Sequence, residues 1–250
     1  MKNSNKIERL EIYKRHKIIN YYDVFSEDEC KKIIKLVEKQ GLEESQVVDS
    51  ISGKLKNTDY RTSTQWYDGS NDCSFVLSRL CEISKHDIDN FEALQVLKYQ
   101  EGQEYKNHCD FFNHKKLYHT DNDRIATFLI YLNQDFVGGE TNFPKIAVKT
   151  KAYTGSVVYF EYSYSPTINR QTLHAGMPVT DGVKYIAVTW VREKGYFADP
   201  NDSIEEIAGK SDQSSVEDKP ISEEEKREHI RRINQKLKEE FHRSMNTLNG

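Results

Sequence analysis

LQVLKYQEGQEYKNHCDFF, residues 94–112, marks the point at which the sequence changes from helical to strand-like periodicity. Three more strand-like segments follow it, namely RIATFLIYLN (124–133), TGSVVYFEYS (154–163) and VKYIAVTWVRE (183–193). Each is short, rich in β-branched and aromatic residues, and separated from the next by turn residues, which is typical of β-strands. Because helices precede a run of short strands, the sequence predicts an α+β chain built around a β-sandwich or barrel.

Two amphipathic helices are predicted upstream of these strands. Ser26 is expected to be the N-cap of the first, SEDECKKIIKLVEKQ (26–40), whose acidic first turn complements the helix dipole. The second helix is expected near residues 73–86, where apolar side chains recur at helical spacing. Residues 47–67 lie between them and are predicted to form a strand, a loop containing Gly53 and a second strand.

The two ends of the chain differ in composition from its centre. Residues 1–24 form a charged, irregular extension, and residues 199–221 form a polar linker with few large apolar side chains. Residues 222–250 are predicted to form a charged helix, at whose start Ser222 and Glu225 have the spacing of a capping box. Because the apolar stripe of this helix is narrow, two interpretations stay open, a mostly solvated helix and a helix that binds a partner.

Composition and charge limit the classes of function and the location. Hydrophobic residues make up 36% of the chain, charged residues 30%, and the formal net charge is −4. The mixed charges lack the concentrated basic face of a nucleic-acid-binding protein. No apolar run approaches the roughly 20 residues of a membrane span, and neither a secretory signal nor an ER-retention motif is visible. We therefore expect a cytoplasmic protein without nucleic-acid or membrane partners; its oligomeric state is left open.

The four cysteines are Cys30, Cys73, Cys81 and Cys109, and none of them forms a C-x-x-C pair. A zinc knuckle or a thioredoxin motif is therefore not indicated. A reducing compartment would leave all four as thiols. A bridge between Cys73 and Cys81 in an exported protein is the alternative.

A metal site is predicted from three residues in the strand-like part of the chain. His108 and Asp110 follow a strand-like stretch, and because strand side chains alternate, both are expected on one face with Cys109 on the other. His174 is the best candidate for a third ligand, because a strand-forming segment follows it directly. Two imidazoles and one carboxylate form the facial triad of non-heme Fe(II) oxygenases. Its three open positions suit a bidentate 2-oxo acid and O₂.

The H-x-D pattern alone is weak evidence, because it recurs in this sequence. His119 and Asp121 have the same spacing, but they lie in the polar, loop-like run KKLYHTDNDR and are rejected as ligands. His114 is interpreted as a loop residue above the site.

Lys184 strengthens the prediction for His174. In VKYIAVTWVRE, Lys184 shares one strand face with Ile186, Val188 and Trp190, which belong in a core, so the lysine is also expected to point inward. A buried lysine is costly unless an anion pairs with it, and the distal carboxylate of 2-oxoglutarate is a suitable partner. The alternative is a strand-end lysine whose ammonium reaches solvent.

In combination, these motifs resemble the prolyl 4-hydroxylase family of Fe(II)- and 2-oxoglutarate-dependent dioxygenases, in its short, single-domain form. The likeness runs roughly from Phe25 to Glu193. Residues 94–112 resemble the family's first-ligand segment, and RIATFLIYLN with the following GGETNFP resembles its central strand and turn. LHAGMPVTDGVKYIAVTWVRE (173–193) resembles its second-histidine and lysine segment, and SGKLKNTDYRTS (52–63) its loop and strand over the substrate.

The resemblance implies a double-stranded β-helix, the cupin-like jelly roll, with N-terminal supporting helices and a catalytic domain over residues 25–198. It implies Fe(II) bound by His108, Asp110 and His174, with 2-oxoglutarate and O₂ as co-substrates and ascorbate as reductant. Lys184 would bind the distal carboxylate of 2-oxoglutarate.

Five further residues receive roles from the same resemblance. The hydroxyls of Tyr99 and Thr141 would assist Lys184, and Trp190 would lie near the co-substrate. Arg61 and Arg124 would lie near a peptide substrate.

The expected activity is hydroxylation of a peptidyl residue, namely 4-hydroxylation of proline in a proline-rich or collagen-like peptide, with release of succinate and CO₂. Hydroxylation of another side chain such as lysine stays open, as does a non-catalytic cupin-like metal-binding module. A zinc hydrolase with the same ligands is a third alternative, but it gives Lys184 no role. Glu140 and Asp135 are not interpreted as catalytic, because the chemistry needs no acid–base pair.

Overall fold

The computed structural model describes residues 8–13, 17–45, 47–48, 55–56, 59–70, 72–111, 123–164, 167–168 and 170–193. The predictions for Gly53, for His114 and for the His119–Asp121 pair lie outside these residues. So do those for the polar linker and the charged C-terminal helix, and the proposed domain boundary at residue 198 stays a prediction.

Helix α1 spans Glu27–Gln40 and begins at Ser26, as predicted. The Ser26 hydroxyl accepts a hydrogen bond from the Glu29 backbone N–H, and the Glu29 carboxylate accepts one from the Ser26 N–H at 2.8 Å. This reciprocal capping box satisfies two backbone donors at the start of the helix. Arg79 of the second helix donates to the same Glu29 carboxylate at 2.8 and 2.9 Å, which links the two helices.

Helix α2 spans Ser74–Ser84 within the predicted range, and Lys85 ends it in the left-handed conformation. Cys73 precedes the helix and Cys81 lies in it, and both are buried, unpaired thiols. Eight residues of helix correspond to a rise of about 12 Å, well beyond the reach of a disulfide. The alternative of a bridge between Cys73 and Cys81 is therefore wrong.

The strand-rich prediction for the central part of the chain is confirmed. The prediction of an irregular extension at residues 1–24 is wrong, because Glu8–Tyr13 and Ile18–Tyr22 are strands that pair into the major sheet. The strands in chain order are β1 (Glu8–Tyr13), β2 (Ile18–Tyr22), β3 (Glu43–Glu44), β4 (Val47–Val48), β5 (Leu55–Lys56), β6 (Thr64–Tyr67), β7 (Gln95–Tyr99), β8 (Tyr105–His108), β9 (Arg124–Tyr131), β10 (Phe136–Gly138), β11 (Thr141–Phe143), β12 (Val148–Thr150), β13 (Val157–Glu161), β14 (Ser163–Tyr164), β15 (Thr167–Ile168), β16 (His174–Gly176), β17 (Val179–Gly182) and β18 (Lys184–Arg192). Short 3₁₀ turns span Ile88–Asn90 and Arg170–Thr172.

Most of these strands belong to two antiparallel sheets. The major sheet has the order β1-β2-β13-β9-β18-β7-β6-β3, and the minor sheet has the order β12-β11-β16-β8. Strands β10 and β17, β14 and β15, and β4 and β5 form separate two-stranded pairs. Neighbours in each large sheet are mostly distant in sequence, which is the topology of a jelly roll.

The major sheet is covered on both faces, and each face has its own core. On one face α1 and α2 pack against the sheet through Cys30, Val37, Val76 and Leu80 and inward-facing strand residues such as Phe128. The other face packs against the minor sheet through a second apolar cluster: Leu97, Tyr99, Leu129, Tyr131, Phe143, Phe160, Ile186, Val188 and Trp190. The helices therefore support the sheet from outside, as expected, and the opposite face, which meets the minor sheet, carries the candidate site.

The junction between α1 and the major sheet is a close backbone contact. Phe25, immediately before the helix cap, donates its backbone N–H to the Gly155 carbonyl at 3.1 Å. Gly155 has φ +79°, and a Cβ at this position would lie 1.8 Å from the Phe25 carbonyl oxygen. A side chain at residue 155 would therefore displace the start of α1.

We expect Gly155→Ala to lower the free energy of unfolding by at least about 2 kcal/mol, because the left-handed conformation and the clash act together. Urea denaturation monitored by circular dichroism measures the change. Gly69→Ala is the matched control, because a Cβ there meets nothing within 4 Å, and we expect a change within about 0.5 kcal/mol. Equal stabilities of the two variants would contradict this account of the junction.

Candidate active site

Strand pairing in the minor sheet brings the two predicted histidine ligands together. β16 lies antiparallel to β8, and His174 is the direct partner of His108 in the register. Asp110 lies two residues beyond the end of β8, so strand alternation does not by itself place it, contrary to the sequence argument. Its carboxylate oxygens nevertheless lie 3.4 Å from His108 Nε2 and 3.7 Å from His174 Nε2. The structure thus confirms the grouping of the three residues but gives a different reason for it.

Hydrogen bonds to neighbouring groups orient all three side chains. The Nδ1 atoms of His108 and His174 donate to the carbonyls of Lys106 and Thr172, at 2.8 and 2.9 Å. Because Nδ1 carries the hydrogen in each ring, the lone pair is on Nε2, the atom that faces Asp110. The Thr127 hydroxyl donates to Asp110 Oδ2 at 2.7 Å and fixes the carboxylate. The ligand atoms are therefore held in place by the protein alone.

The donor set fits a divalent transition metal. One atom from each of the three residues lies within 4.8 Å of the other two, and in the described part of the chain this is the group that could hold a metal ion. Burial lowers the pKa of His174 to about 4, so its imidazole is neutral at neutral pH. Burial alone would raise the pKa of Asp110, but the two histidines and Arg124 hold it below its ordinary value. Two imidazoles and a carboxylate match the Fe(II) facial triad.

Lys184 lies at the start of β18, where it pairs with Tyr99 of β7. Only 1% of Lys184 is exposed, which confirms the prediction that its side chain points inward. Its ammonium donates to the Gly139 carbonyl at 2.7 Å and lies 4.8 Å from the centre of the Tyr99 ring. Burial lowers the pKa of Lys184 to about 7, against the raising effect of Glu140. One hydrogen bond leaves two ammonium hydrogens available to an anion.

Comparison with known proteins agrees with this geometry. Residues 94–192 match the model of the 2OG-Fe(II) oxygenase superfamily. The chain is 31% identical over 199 residues to a probable prolyl 4-hydroxylase 6 of Arabidopsis thaliana, covering 70% of this chain and 69% of that protein. It is 35% identical over 177 residues to a putative prolyl 4-hydroxylase of Acanthamoeba polyphaga mimivirus, covering 67% and 70%. The chain belongs to the prolyl 4-hydroxylase family of 2OG-Fe(II) oxygenases.

A solved structure gives the same result for the fold. The viral collagen prolyl hydroxylase of Paramecium bursaria Chlorella virus-1, solved as a 2OG complex, superposes with a TM-score of 0.55 at 28% identity. The match covers 73% of this chain and 99% of that one. The predicted jelly roll is therefore confirmed, and the chain is an enzyme of a family that uses Fe(II) and 2-oxoglutarate. The interpretation as a non-catalytic binding module is not supported.

Hydroxyl groups of the prolyl 4-hydroxylase-like site form a buried cluster near Lys184. The Thr141 hydroxyl is 2.9 Å from the Tyr131 hydroxyl, which is in turn 2.7 Å from the Thr150 hydroxyl. The Tyr131 ring centre lies 5.9 Å from the Lys184 ammonium. Sequence reasoning singled out Thr141 but missed Tyr131 and Thr150. Strand alternation could have identified Tyr131, because it lies on the same face of β9 as the core residue Leu129.

Tyr99 presents its ring to the Lys184 ammonium, whereas its hydroxyl bonds with Ser63 and Arg61. Burial raises the pKa of this phenol, while hydrogen bonds with Ser63 and Arg61 lower it in part. Arg61 is itself buried and donates to the Gln95 side chain at 3.1 Å, and its guanidinium lies 5.0 Å from the Tyr105 ring centre. Tyr99 and Arg61 thus connect Lys184 with Tyr105, the ring that stacks on His108.

Arg124 lies against Asp110 and stacks on Trp190. The Arg124 guanidinium stacks 3.8 Å from the Trp190 ring centre and donates to the Asp110 carbonyl at 3.4 Å. Glu92 accepts hydrogen bonds from Arg124 at 2.6 and 2.7 Å and from Arg192 at 2.6 Å. The Trp190 indole N–H is buried and has no hydrogen-bond partner among the described residues, which leaves it available to a ligand.

Glu92 and Arg192 were not singled out from the sequence. Burial alone would raise the pKa of Glu92, but the two arginines hold it below its ordinary value, so the carboxylate is ionised. Glu92 lies just before β7 and Arg192 ends β18. Nothing in the sequence indicates that these two residues pair. Only the alignment of β7, β18 and β9 brings them together.

We expect Thr127→Val to weaken metal binding roughly tenfold, because the Asp110 carboxylate loses the hydroxyl that orients it. Anaerobic titration with Fe(II), or with Mn(II) followed by electron paramagnetic resonance, measures the dissociation constant. Thr127→Ser keeps the hydroxyl and should bind the metal as the wild type does. If the valine variant and the wild type bind the metal with equal affinity, the Thr127 hydroxyl does not contribute to orienting Asp110.

Proposed function

We propose that this protein uses Fe(II) and 2-oxoglutarate to 4-hydroxylate proline in a proline-rich or collagen-like peptide, with release of succinate and CO₂. The observation that supports this most directly is the pairing of an oriented His108–Asp110–His174 triad with a buried, partly unsatisfied Lys184. Several relatives are named prolyl 4-hydroxylases, and the viral structural relative is named a collagen prolyl hydroxylase.

The triad would hold Fe(II) through His108 Nε2, His174 Nε2 and the Asp110 carboxylate. When bound, Fe(II) supplies the activation of O₂, which couples decarboxylation of 2-oxoglutarate to insertion of one oxygen atom into a substrate C–H bond. The protein's contribution is the fixed direction of these ligands. The carbonyls of Lys106 and Thr172 and the hydroxyl of Thr127 maintain it.

Lys184 would bind the distal carboxylate of 2-oxoglutarate. Gly139 holds the ammonium from one side and leaves its other hydrogens to the ligand. We propose that Thr141, within the Tyr131–Thr150 hydroxyl cluster, and Tyr99 complete the carboxylate site. The low-dielectric surroundings that lower the pKa of Lys184 also strengthen its attraction for an anion.

Aromatic rings around the histidines would exclude water from the reaction. Tyr105 stacks on His108 with ring centres 3.5 Å apart, and Phe160 and Phe143 lie 4.8 and 5.7 Å from His174. A dry site protects a reactive metal centre from side reactions.

On the substrate side, we propose that Arg124, Arg61 and Trp190 shape the site. Arg124 is fixed between Glu92 and Trp190, so it would present a rigid surface to a peptide. The unpartnered Trp190 indole N–H would donate to the co-substrate or to a peptide carbonyl. Ascorbate remains our proposed reductant. The four free thiols fit the proposed cytoplasmic location, which is a reducing compartment.

The test of this function is a succinate assay on Fe(II)-loaded protein with 2-oxoglutarate, with and without a proline-rich peptide. We expect the peptide to stimulate succinate formation and to gain one oxygen atom by mass spectrometry, and His174→Ala to abolish both. A lysine-containing peptide of equal length discriminates the alternative substrate. Stimulation by the lysine peptide alone would overturn the assignment to proline, and absence of any 2-oxoglutarate turnover would overturn the proposed chemistry.

We expect Lys184→Met to raise the KM for 2-oxoglutarate roughly 10- to 100-fold, because a charge-assisted hydrogen bond to the distal carboxylate is lost. Lys98→Met is the control, since Lys98 precedes Tyr99 on the same strand but pairs with Glu38 at 2.8 Å on the opposite face. Initial-rate kinetics at varied 2-oxoglutarate measure both. A KM that Lys184→Met leaves at the wild-type value would exclude this lysine from the carboxylate site.

The affinity for 2-oxoglutarate should fall as the pH rises above neutral. The pKa of Lys184 is lowered to about 7 in the free protein, so its ammonium is progressively deprotonated above that pH. A bound carboxylate raises this pKa again, so binding at higher pH requires uptake of a proton. We expect the dissociation constant to rise by up to about tenfold per pH unit above 7.

Calorimetry in two buffers of different ionisation enthalpy measures that proton directly. The wild type should take up a proton on binding 2-oxoglutarate at pH 8, and Lys184→Met should take up none. Buffer-independent binding enthalpies for the wild type would show that Lys184 is already charged before the ligand arrives.

A further inference from the structure

Residues 60–62 lie beside the strand that ends in the first histidine ligand. The backbone N–H of Lys106 donates to the Tyr60 carbonyl at 3.0 Å, and that of Thr62 donates to the Glu104 carbonyl at 3.1 Å. Arg61 and Tyr105 form an antiparallel bridge between the two segments. Tyr60 is therefore held at the end of β8, next to the ligand-bearing residues.

A short series of aromatic contacts leads from the histidine ligand to Tyr60. Tyr105 stacks on His108 with ring centres 3.5 Å apart, and Tyr60 packs edge-on against Tyr105 with ring centres 6.0 Å apart. The Tyr60 hydroxyl donates to the Asn107 carbonyl, in the residue before His108. Tyr60 thus forms the outer end of an aromatic wall whose inner end is a proposed metal ligand.

Tyr60 is unusual in its exposure. Three large apolar side chains are exposed in the described part of the chain: Tyr60 at 41%, Val137 at 58% and Tyr153 at 38%. Of the two tyrosines, Tyr153 packs against Tyr22 and lies under the Lys151 ammonium, so its contacts are with other surface residues. The hydroxyl of Tyr60 is occupied and its ring is braced, so the exposed part is a ring surface of fixed orientation. A preset aromatic surface binds a ligand at low cost in conformational entropy.

The surroundings of this wall favour a neutral ring as its occupant. The Arg61 guanidinium already lies 5.0 Å from the Tyr105 ring centre, and Lys106 is exposed on the adjoining strand. The buried Arg61 guanidinium already occupies the cation position at the Tyr105 ring, so a lysine or arginine of a substrate gains no cation–π contact there. A prolyl ring is uncharged and apolar, and prolines in the extended polyproline conformation bind to aromatic-lined surfaces without a large loss of entropy.

We propose that Tyr60 is a specificity-determining residue that packs against a prolyl ring of the substrate two or three residues away from the hydroxylated proline. This deepens the proposed function and rests on it. The spacing follows from the peptide geometry. The polyproline helix advances about 3.1 Å per residue, so two or three residues span roughly 6 to 9 Å. This is comparable with the path from His108 to Tyr60, whose two steps between ring centres are 3.5 and 6.0 Å. Tyr60 would thus select proline-rich sequence beside the target, while the metal centre selects the position that reacts.

The experiment compares two fluorescent peptides of equal length that share the same central proline. In one the neighbouring residues are prolines, and in the other they are alanines. Their binding to protein loaded with Mn(II) and 2-oxoglutarate is measured by anisotropy, and their turnover on the Fe(II)-loaded enzyme is measured by succinate release. The variants are Tyr60→Ala, Tyr60→Phe and, as matched control, Tyr153→Ala. Thermal unfolding and the KM for 2-oxoglutarate report whether each variant keeps its fold and co-substrate site.

We expect Tyr60→Ala to weaken binding of the proline-flanked peptide, and to raise its KM, about fivefold, the size of one aromatic contact. The alanine-flanked peptide should bind the variant and the wild type equally. Tyr60→Phe keeps the ring and should retain the preference for flanking prolines, and Tyr153→Ala should behave as the wild type. This pattern would support Tyr60 as the selective element.

Two other results would overturn the proposal. One is an equal loss of both peptides in Tyr60→Ala, which would make the residue merely structural. The other is a wild type that does not prefer the proline-flanked peptide. A failure of the proposed function itself has a different signature, because the wild type would then release no additional succinate with either peptide. The binding measurement still decides the role of Tyr60 in that case.

Discussion

The register between β8 and β16 is the constraint on which the rest of the site depends. It places His174 directly opposite His108, although 66 positions of chain separate them in the numbering. Once the two rings face each other, Asp110 needs to reach only a few ångströms to complete a three-sided ligand set. Because strand side chains alternate, a shift of one residue in this register would turn one histidine away from the other. The grouping of the three candidate ligands therefore depends on the strand pairing in the minor sheet.

The second constraint is that the major sheet buries charged side chains, which must be stabilised by partners of opposite charge or by hydrogen bonds. Glu92 is ionised there because two arginines surround it, so the charges compensate one another within the protein. Lys184 is different, because its one hydrogen bond is to a carbonyl and its pKa is lowered. An isolated buried ammonium is costly, and the cost is recovered when an anion arrives. Lys184 is therefore a candidate anion-binding residue in an otherwise well-paired core.

Sequence patterns predicted a large part of this molecule. The capping box at Ser26, the inward direction of Lys184 and the strands of the jelly roll all follow from local rules of periodicity and hydrogen bonding. The ligand set could be proposed because His108 and Asp110 follow a strand-like stretch, and because a strand-forming segment with an inward-facing Lys184 follows His174. The reason given for Asp110 was incomplete, because the strand ends at His108 and a bend places the carboxylate. The Cys73–Cys81 alternative failed because both residues belong to one helical segment.

Sequence by itself determined the two helices and the longest central strands, which residue types could bind a metal, and which lysine faces inward. These properties depend on neighbours within a few positions along the chain. Only the tertiary structure decided that Glu92 joins Arg124 to Arg192, that Tyr131 and Thr150 surround Thr141, and that Tyr60 lies beside the first ligand. Each of these contacts joins residues 10 or more positions apart in the chain, which are brought together by strands that pair or pack across the sheets. Pairing between such strands is fixed by the register and packing of whole sheets, which no local pattern encodes.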